Sequence, residues 1–248
     1  AWDAVGKLTN QSLAQMIGGT KQRVPVGIVL DVNADVNDIK RAIDKGYQRI
    51  KIKIDEQLLD KQKLIERLNQ FPNQQFSLDA NSSFSRQTAD FFNQLPENVA
   101  FIEQPFSEND FVDHAFFQKK TPHFLSLDES INSLDDIHTM IALHAAKAVT
   151  IKQAKIGGIT AALKAIQLAS HAGIKPWIGG MLSSNLGRAV DLAMASLQNI
   201  TFAGDISESS RYFEHDITVE TFEIAQGLMT VPTRSGLGVT LDDSFDVL

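Results

Sequence analysis

Cysteine is absent from this 248-residue sequence, which excludes disulfides and thiolate metal sites. Any metal would have to be held by oxygen or imidazole. With only 6 histidines, carboxylates are the better-supplied donors. No apolar run approaches the ~18 residues of a membrane span. No secretory signal opens the chain, so a cytoplasmic location is the default expectation. Positive charge is not in excess either. The net charge of −7 argues against nucleic acid or an anionic membrane as a partner. A Gly-rich phosphate turn is also missing: Leu30-Asp31-Val32-Asn33 stands where a dinucleotide-binding fold would place one.

The composition is that of an ordinary globular protein, 43% hydrophobic and 21% charged, with enough residues for one large domain or two small ones. Short runs rich in Val, Ile and Phe recur at similar spacing. They predict strands over residues 24–30, 49–54, 75–81, 100–105, 124–130, 148–154 and 175–181, with a weaker eighth over 200–206. Helical periodicity fills the gaps, over 38–45, 58–68, 159–172 and 186–197. In the second of these, Leu58, Leu64, Ile65 and Leu68 share one side. Such alternation implies crossover units and a parallel sheet. Seven or eight units fit an α/β fold of the (β/α)7β type, a TIM-like closed barrel ringed by helices. A doubly wound open sheet is the alternative. The opening stretch, 1–16, reads as a helix that begins midway. The last stretch, with Gly227, Pro232, Gly236 and Gly238, reads as turns and short strands. Residues 20–217 are therefore assigned to the barrel. Residues 1–19 and 218–248 are assigned to a second, incomplete domain.

Strands buried in a parallel barrel should be almost wholly apolar. Here Lys51 and Lys53 interrupt the second, Asp79 closes the third, Glu103 the fourth and Asp128 the fifth, and Lys152 follows Val149-Thr150-Ile151 in the sixth. From Lys53 onward the charges stand 24 to 26 residues apart, one barrel unit each time, which predicts equal height at the carboxyl ends of the strands. Three carboxylates gathered there would repel one another and raise their pKa values. An oxygen-loving dication relieves that, and Asp79, Glu103 and Asp128 would leave about half of an octahedral Mg²⁺ shell for water and substrate. Lys53 and Lys152 fall on opposite sides of the mouth. A lysine acts as a base only when neutral, and Lys51 and a metal would both push the Lys53 pKa down. Taken singly, an acidic residue at a strand end is more often a helix cap or turn former. Five at one phase are not explained that way. Asn81 and Lys51 are candidates to touch substrate oxygens. Trp177 is assigned to the core, and the histidines, His171 and His215 among them, to the surface.

On these residues the sequence resembles the enolase superfamily, and within it the muconate-lactonizing subgroup. The carrying motifs are Lys51-Ile52-Lys53, Asp79-Ala80-Asn81, Glu103-Gln104-Pro105, Asp128-Glu129-Ser130, Lys152, Ile156-Gly157-Gly158, Gly179-Gly180-Met181-Leu182, Gly204-Asp205-Ile206-Ser207 and Arg211-Tyr212-Phe213. The resemblance implies Asp79, Glu103 and Asp128 as Mg²⁺ ligands (Mn²⁺ as a substitute) and Lys53 and Lys152 as the acid/base pair. It implies substrate contacts from Lys51, Asn81, Gly180 and Met181, a small anionic carboxylate as substrate, and a homo-oligomer. Among subgroup members the sequence is most similar to the o-succinylbenzoate synthases of menaquinone synthesis and to N-succinylamino acid racemases. Ser207 stands where dipeptide epimerases tend to carry a second aspartate. Gln153, Ser183-Ser184-Asn185 and Val29 depart from commoner family residues, and Val29 favours the synthase. Members carry an N-terminal α+β capping domain, of which 1–19 would be the last helix and 218–248 the C-terminal return. An inert, anion-binding barrel is the non-enzymatic alternative.

Overall fold

The computed structural model describes residues 1–244. Seven parallel strands lie in chain order in one curled sheet. They are β2 (Gly27–Leu30), β3 (Arg49–Lys53), β4 (Gln75–Asp79), β5 (Val99–Glu103), β6 (Phe124–Leu127), β7 (Ala148–Ile151) and β8 (Lys175–Ile178). Helices α3 (Val36–Asp44), α4 (Lys61–Asn69), α5 (Phe111–Gln118), α6 (Leu134–Leu143), α7 (Ile159–His171) and α8 (Asn185–Ala195) follow the strands. A 3₁₀ helix, Ala89–Gln94, stands between β4 and β5.

The sequence explains this alternation. Every second strand residue points outward, and Ile50, Ile52, Phe76, Leu78, Ile102, Leu125, Val149 and Ile151 are fully buried beneath the helices. On α7 the buried Ala162, Ala165, Ile166 and Ala169 repeat at helical spacing. Helix α3 starts at a reciprocal cap between Asp35 and Asp38, and the caps of α4, α5 and α6 are Asp60, Asp110 and Ser133.

The expected first strand is in fact two. β1 (Arg23–Pro25) pairs antiparallel with β9 (Leu228–Thr230), away from the barrel, and the chain enters the barrel only at Gly27. Pro25, which has no N–H to give a central ladder, sits in the outer pair. The expected eighth strand forms no ladder. Residues 200–206 instead bridge β8 to β2: the N–H groups of Thr201 and Asp205 donate to Pro176 and Ile178, and Gly27 N–H donates to Gly204. The opening stretch is also two helices, α1 (Trp2–Thr9) and α2 (Leu13–Ile17), broken where Asn10 turns left-handed at φ 53° and Ser12 caps anew. Leu58 is 70% exposed, because α4 begins only at Lys61 and never carries it to the buried face. His171 and His215 are exposed, but His114 and His123 are buried, each bonded to backbone groups.

The two ends of the chain meet. Leu13 N–H donates to Gly236, Gly236 N–H to Gln11, and Leu237 N–H to the Asp3 carboxylate. The final four residues of the segment assigned to 218–248 lie outside the described residues. No helix among the described residues is long and apolar enough to cross a membrane.

Candidate active site

Inside the barrel, alternation turns Arg49, Lys51 and Lys53 of β3 to the interior. Arg49 has no solvent exposure. It donates to the Ala203 carbonyl through Nε (2.9 Å) and Nη2 (2.7 Å), to Ser77 Oγ (2.6 Å) and to Asp205 Oδ1 (2.5 Å). Its guanidinium lies 4.7 Å from the Trp177 ring centre, and the Trp177 indole donates to Ser126 Oγ. Trp177 is thus core, as expected, and forms part of the floor beneath the charged layer.

One turn of pleat higher, Lys51 Nζ stands 2.5 Å from Asp205 Oδ2, 2.9 Å from Asp79 Oδ2 and 3.1 Å from Glu103 Oε2. Lys53 Nζ donates to Asp79 Oδ2 (2.8 Å) and Asn81 Oδ1 (2.5 Å). Across the barrel, Lys152 Nζ donates to Asp128 Oδ2 at 2.5 Å, and Lys155 to the Asp128 carbonyl at 2.8 Å. A cavity of about 280 Å³ opens above. Lys51, Lys53, Asp79, Asn81, Asp128, Lys152, Gly180 and Met181 all border it, joined by Val29, Glu129, Leu182, Asp205 and Tyr212. Of the residues expected at the site, Glu103 alone is withdrawn from the cavity wall. It is fully buried, with Thr150 donating to its Oε1.

Register corrects the expectation of equal height. Lys53, Asp79 and Glu103 are ladder partners, but the partner of Glu103 on β6 is Ser126, so Asp128 stands two residues further along. Equal spacing in sequence therefore gave equal height only for the first three charges, because barrel strands are staggered by shear.

Several turns hold these side chains. Asn81, Ser82 and Gln104 have positive φ (41°, 64° and 38°), so the chain swings aside directly after Asp79 and Glu103. Asparagine tolerates this conformation. Gln104 is held in it by its own amide: Oε1 accepts from the N–H groups of Asp128 and Ser130, and Nε2 donates to the Phe106 carbonyl and Ser130 Oγ. At Gly179 a Cβ would fall 2.4 Å from Thr150 Cγ2 and 2.9 Å from Lys152 Cε, so glycine is what lets Lys152 lie across the mouth.

Burial favours the neutral form of Lys152, but the Asp128 and Glu103 carboxylates outweigh it and hold its pKa above the ordinary lysine value. Lys152 is an ammonium here. Lys51 behaves alike: burial is opposed by Asp205, Glu103 and Asp79, which together keep it charged. Burial pushes Glu103 well up, with the neighbouring Asp79, Asp128 and Asp205 adding to the shift. Asp205 goes the other way, to about 2, because Lys51 and Arg49 overcome its burial.

Among the described residues no three His, Cys, Asp or Glu side chains stand together as a ready metal-holding group. Lysine ammoniums occupy oxygens of Asp79, Glu103 and Asp128 instead. The donors still suit a hard dication, being carboxylate oxygens throughout. Glu129, on the cavity wall, accepts from Asn81 at Oε1 while its buried Oε2 has no partner, an oxygen a cation or its water would satisfy.

Asp205, Arg49, Gln104, Glu129 and Lys155 had no role assigned from sequence. Asp205 carried a usable signal, since it stands in the eighth apolar run about one further barrel unit beyond Gly179. Gln104 and Arg49 carried none, because their roles depend on contacts 24 and 154 or more residues away.

Comparisons with known proteins identify the family. Residues 34–245 match the family described as enolase C-terminal domain-like. The chain is 38% identical to an o-succinylbenzoate synthase of Listeria innocua over 97% of this chain and 66% of that protein. It is 37% identical to an N-succinylamino acid racemase of Thermus thermophilus, again over 97% and 66%. A crystal structure from Enterococcus faecalis V583, of an unknown member of the enolase superfamily, superposes with a TM-score of 0.93 at 38% identity, covering 98% of this chain and 67% of that one. The chain thus spans about two thirds of the length of these relatives.

Proposed function

The chain belongs to the enolase C-terminal domain-like family, and from that premise we propose that it is the barrel of a Mg²⁺-dependent carbon–oxygen lyase, an o-succinylbenzoate synthase of menaquinone synthesis. The observation that carries the reading is the pair of lysines set across one cavity. Lys53 ends β3 and Lys152 follows β7, four staves apart in a barrel of seven strands and a bridging segment, with carboxylates between them.

Asp79, Glu103 and Asp128 would hold the ion, with Mn²⁺ as a substitute. When bound, it would supply Lewis-acid stabilisation to a substrate carboxylate that gains charge. Lys53 removes the proton α to that carboxylate. Asn81, bonded to Lys53 and Glu129, fixes the direction of that amine. The Lys152 ammonium faces the enediolate from the other side and stabilises its charge. The C–O bond then breaks as the protonated Lys53 returns its proton to the departing hydroxyl, which leaves as water while the ring becomes aromatic. Gly180 and Met181 line the wall where the succinyl arm would lie.

The formal charges favour a dicarboxylate. Asp79, Glu103, Asp128, Glu129 and Asp205 are matched by Arg49, Lys51, Lys53, Lys152 and Lys155. A dication would then leave this end with two positive charges, suited to a small substrate with two carboxylates. A homo-oligomeric assembly belongs to the same proposal.

A racemase acting on N-succinylamino acids is the second reading, favoured by amines on both faces of the cavity and by the Thermus thermophilus relative. Incubation with Mg²⁺ and a panel of succinyl substrates separates the two. The synthase reading expects dehydration to 2-succinylbenzoate. Exchange of the α-proton from both enantiomers of an N-succinylamino acid, with no dehydration, would replace it by the racemase. Neither reaction, at intact fold, would leave the inert anion-binding barrel.

A further inference from the structure

Asp205 belongs to neither the proposed metal set nor the lysine pair, yet of the three carboxylates around Lys51 it makes the shortest contact. Lys51 Nζ lies 2.5 Å from Asp205, against 2.9 Å from Asp79 and 3.1 Å from Glu103. Asp205 cannot follow Lys51 elsewhere. Its other oxygen takes Arg49 at 2.5 Å, and Arg49 is pinned by the Ala203 carbonyl and Ser77 with no exposure. Its backbone is fixed as well, since Asp205 N–H donates to Ile178 and its carbonyl oxygen would lie 1.9 Å from a Cβ at Gly180. Asp79 and Glu103 have second partners too, Lys53 and Thr150.

Two of the three partners of Lys51 are therefore the carboxylates proposed for the dication, and an ion and the Lys51 ammonium compete for the same oxygens. A buried charge stripped of its partners is heavily penalised. We infer that Asp205 is the fixed post that retains Lys51 when a divalent cation takes Asp79 and Glu103, so that the ion displaces the ammonium from two carboxylates without leaving it unpaired. Asp205 is then a positioning residue for metal binding, and Lys51 is the cation it keeps out of the way. The inference rests on the metal-dependent reading above.

A binding cycle on the 248-residue chain tests it without any activity assay. Mn²⁺ affinity is measured by electron paramagnetic resonance, and Mg²⁺ affinity by calorimetry, for wild type, Asp205→Asn, Lys51→Met and the double variant. Asp205→Asn weakens binding by about tenfold or more, a coupling within the range for contacting residues. Lys51→Met tightens it. In the Lys51→Met background Asp205→Asn changes affinity by less than about twofold, because no ammonium remains to be parked. An equal loss in both backgrounds overturns the inference and marks Asp205 as a mere negative charge at a distance. No loss in either overturns it as well. If Asp205→Asn does not fold, the same cycle is run with Arg49→Met throughout, where no unpaired guanidinium remains, and the same outcomes decide. Wild type that binds neither ion removes the proposed function together with this inference. Binding with an additive cycle removes this inference alone.

Discussion

Replacing Arg49 by methionine is the most informative perturbation of the scaffold. Methionine keeps much of the aliphatic stem and removes the charge and four hydrogen bonds, two to Ala203 and one each to Ser77 and Asp205. Removing one partner of a buried ion pair costs about 3–5 kcal/mol, because the other charge is left uncompensated. Lys51 also contacts Asp205 at 2.5 Å and still neutralises part of that charge, which places the loss at the lower end, about 3 kcal/mol. For a chain of this size that is a fall in Tm of about 6–12 °C. Urea unfolding should show a lower midpoint at unchanged m value, the signature of lost stability without altered compactness. The pair must also be non-additive: Arg49→Met combined with Asp205→Asn should cost clearly less than the two singles together, since neither variant then strands a buried charge. A loss below about 1 kcal/mol for Arg49→Met, or a double variant costing the full sum, would refute the reasoning.

Two further outcomes follow from the same contacts. Gly180→Ala places a Cβ 1.9 Å from the Asp205 carbonyl oxygen, so backbone must move, and stability should fall by about 2 kcal/mol or more; a melting temperature equal to wild type would contradict the close approach. Asp191, buried on α8 beside Arg188 and Gln153, has its carboxyl raised to about 7, chiefly by burial. The folded state thus holds that proton more tightly than the unfolded chain does. This contribution is complete below pH about 4 and is lost as pH rises toward about 7. Melting temperatures measured from pH 4 to 8 should fall more steeply in wild type than in Asp191→Asn, which keeps only the decline due to the raised Glu103; parallel curves would contradict it.

Much of the barrel was legible because its signals are local. Alternating apolar runs marked β3 to β8, and the repeat of about 25 residues marked where each strand would end in a charge. What was not legible depends on contacts far apart in the chain. The 24–30 run reads as one strand, and only pairing with residues 228–230 splits off 23–25. The 200–206 run has strand composition, yet it bridges two edges through a few bonds and forms no ladder. Leu58 fitted the helical period, but α4 starts three residues later, at its Asp60 cap. At the site, sequence spacing brought the five charges to one end. It could not show that Lys51 would sit among three carboxylates, or that Asp128 would hold the Lys152 pKa up. Those effects depend on the inward turn of each side chain and on the barrel's shear.

The account rests on Lys53 as the group that removes an α-proton in a cation-dependent reaction. Proton exchange into D₂O measures this directly. With Mg²⁺ and the succinyl substrate that wild type turns over, wild type should show α-proton loss, and removing the ion with a chelator should abolish it. Lys53→Ala should lower the rate by about 10²–10⁴-fold while circular dichroism and Mg²⁺ binding stay as in wild type. Exchange by Lys53→Ala at a rate near that of wild type would contradict the account.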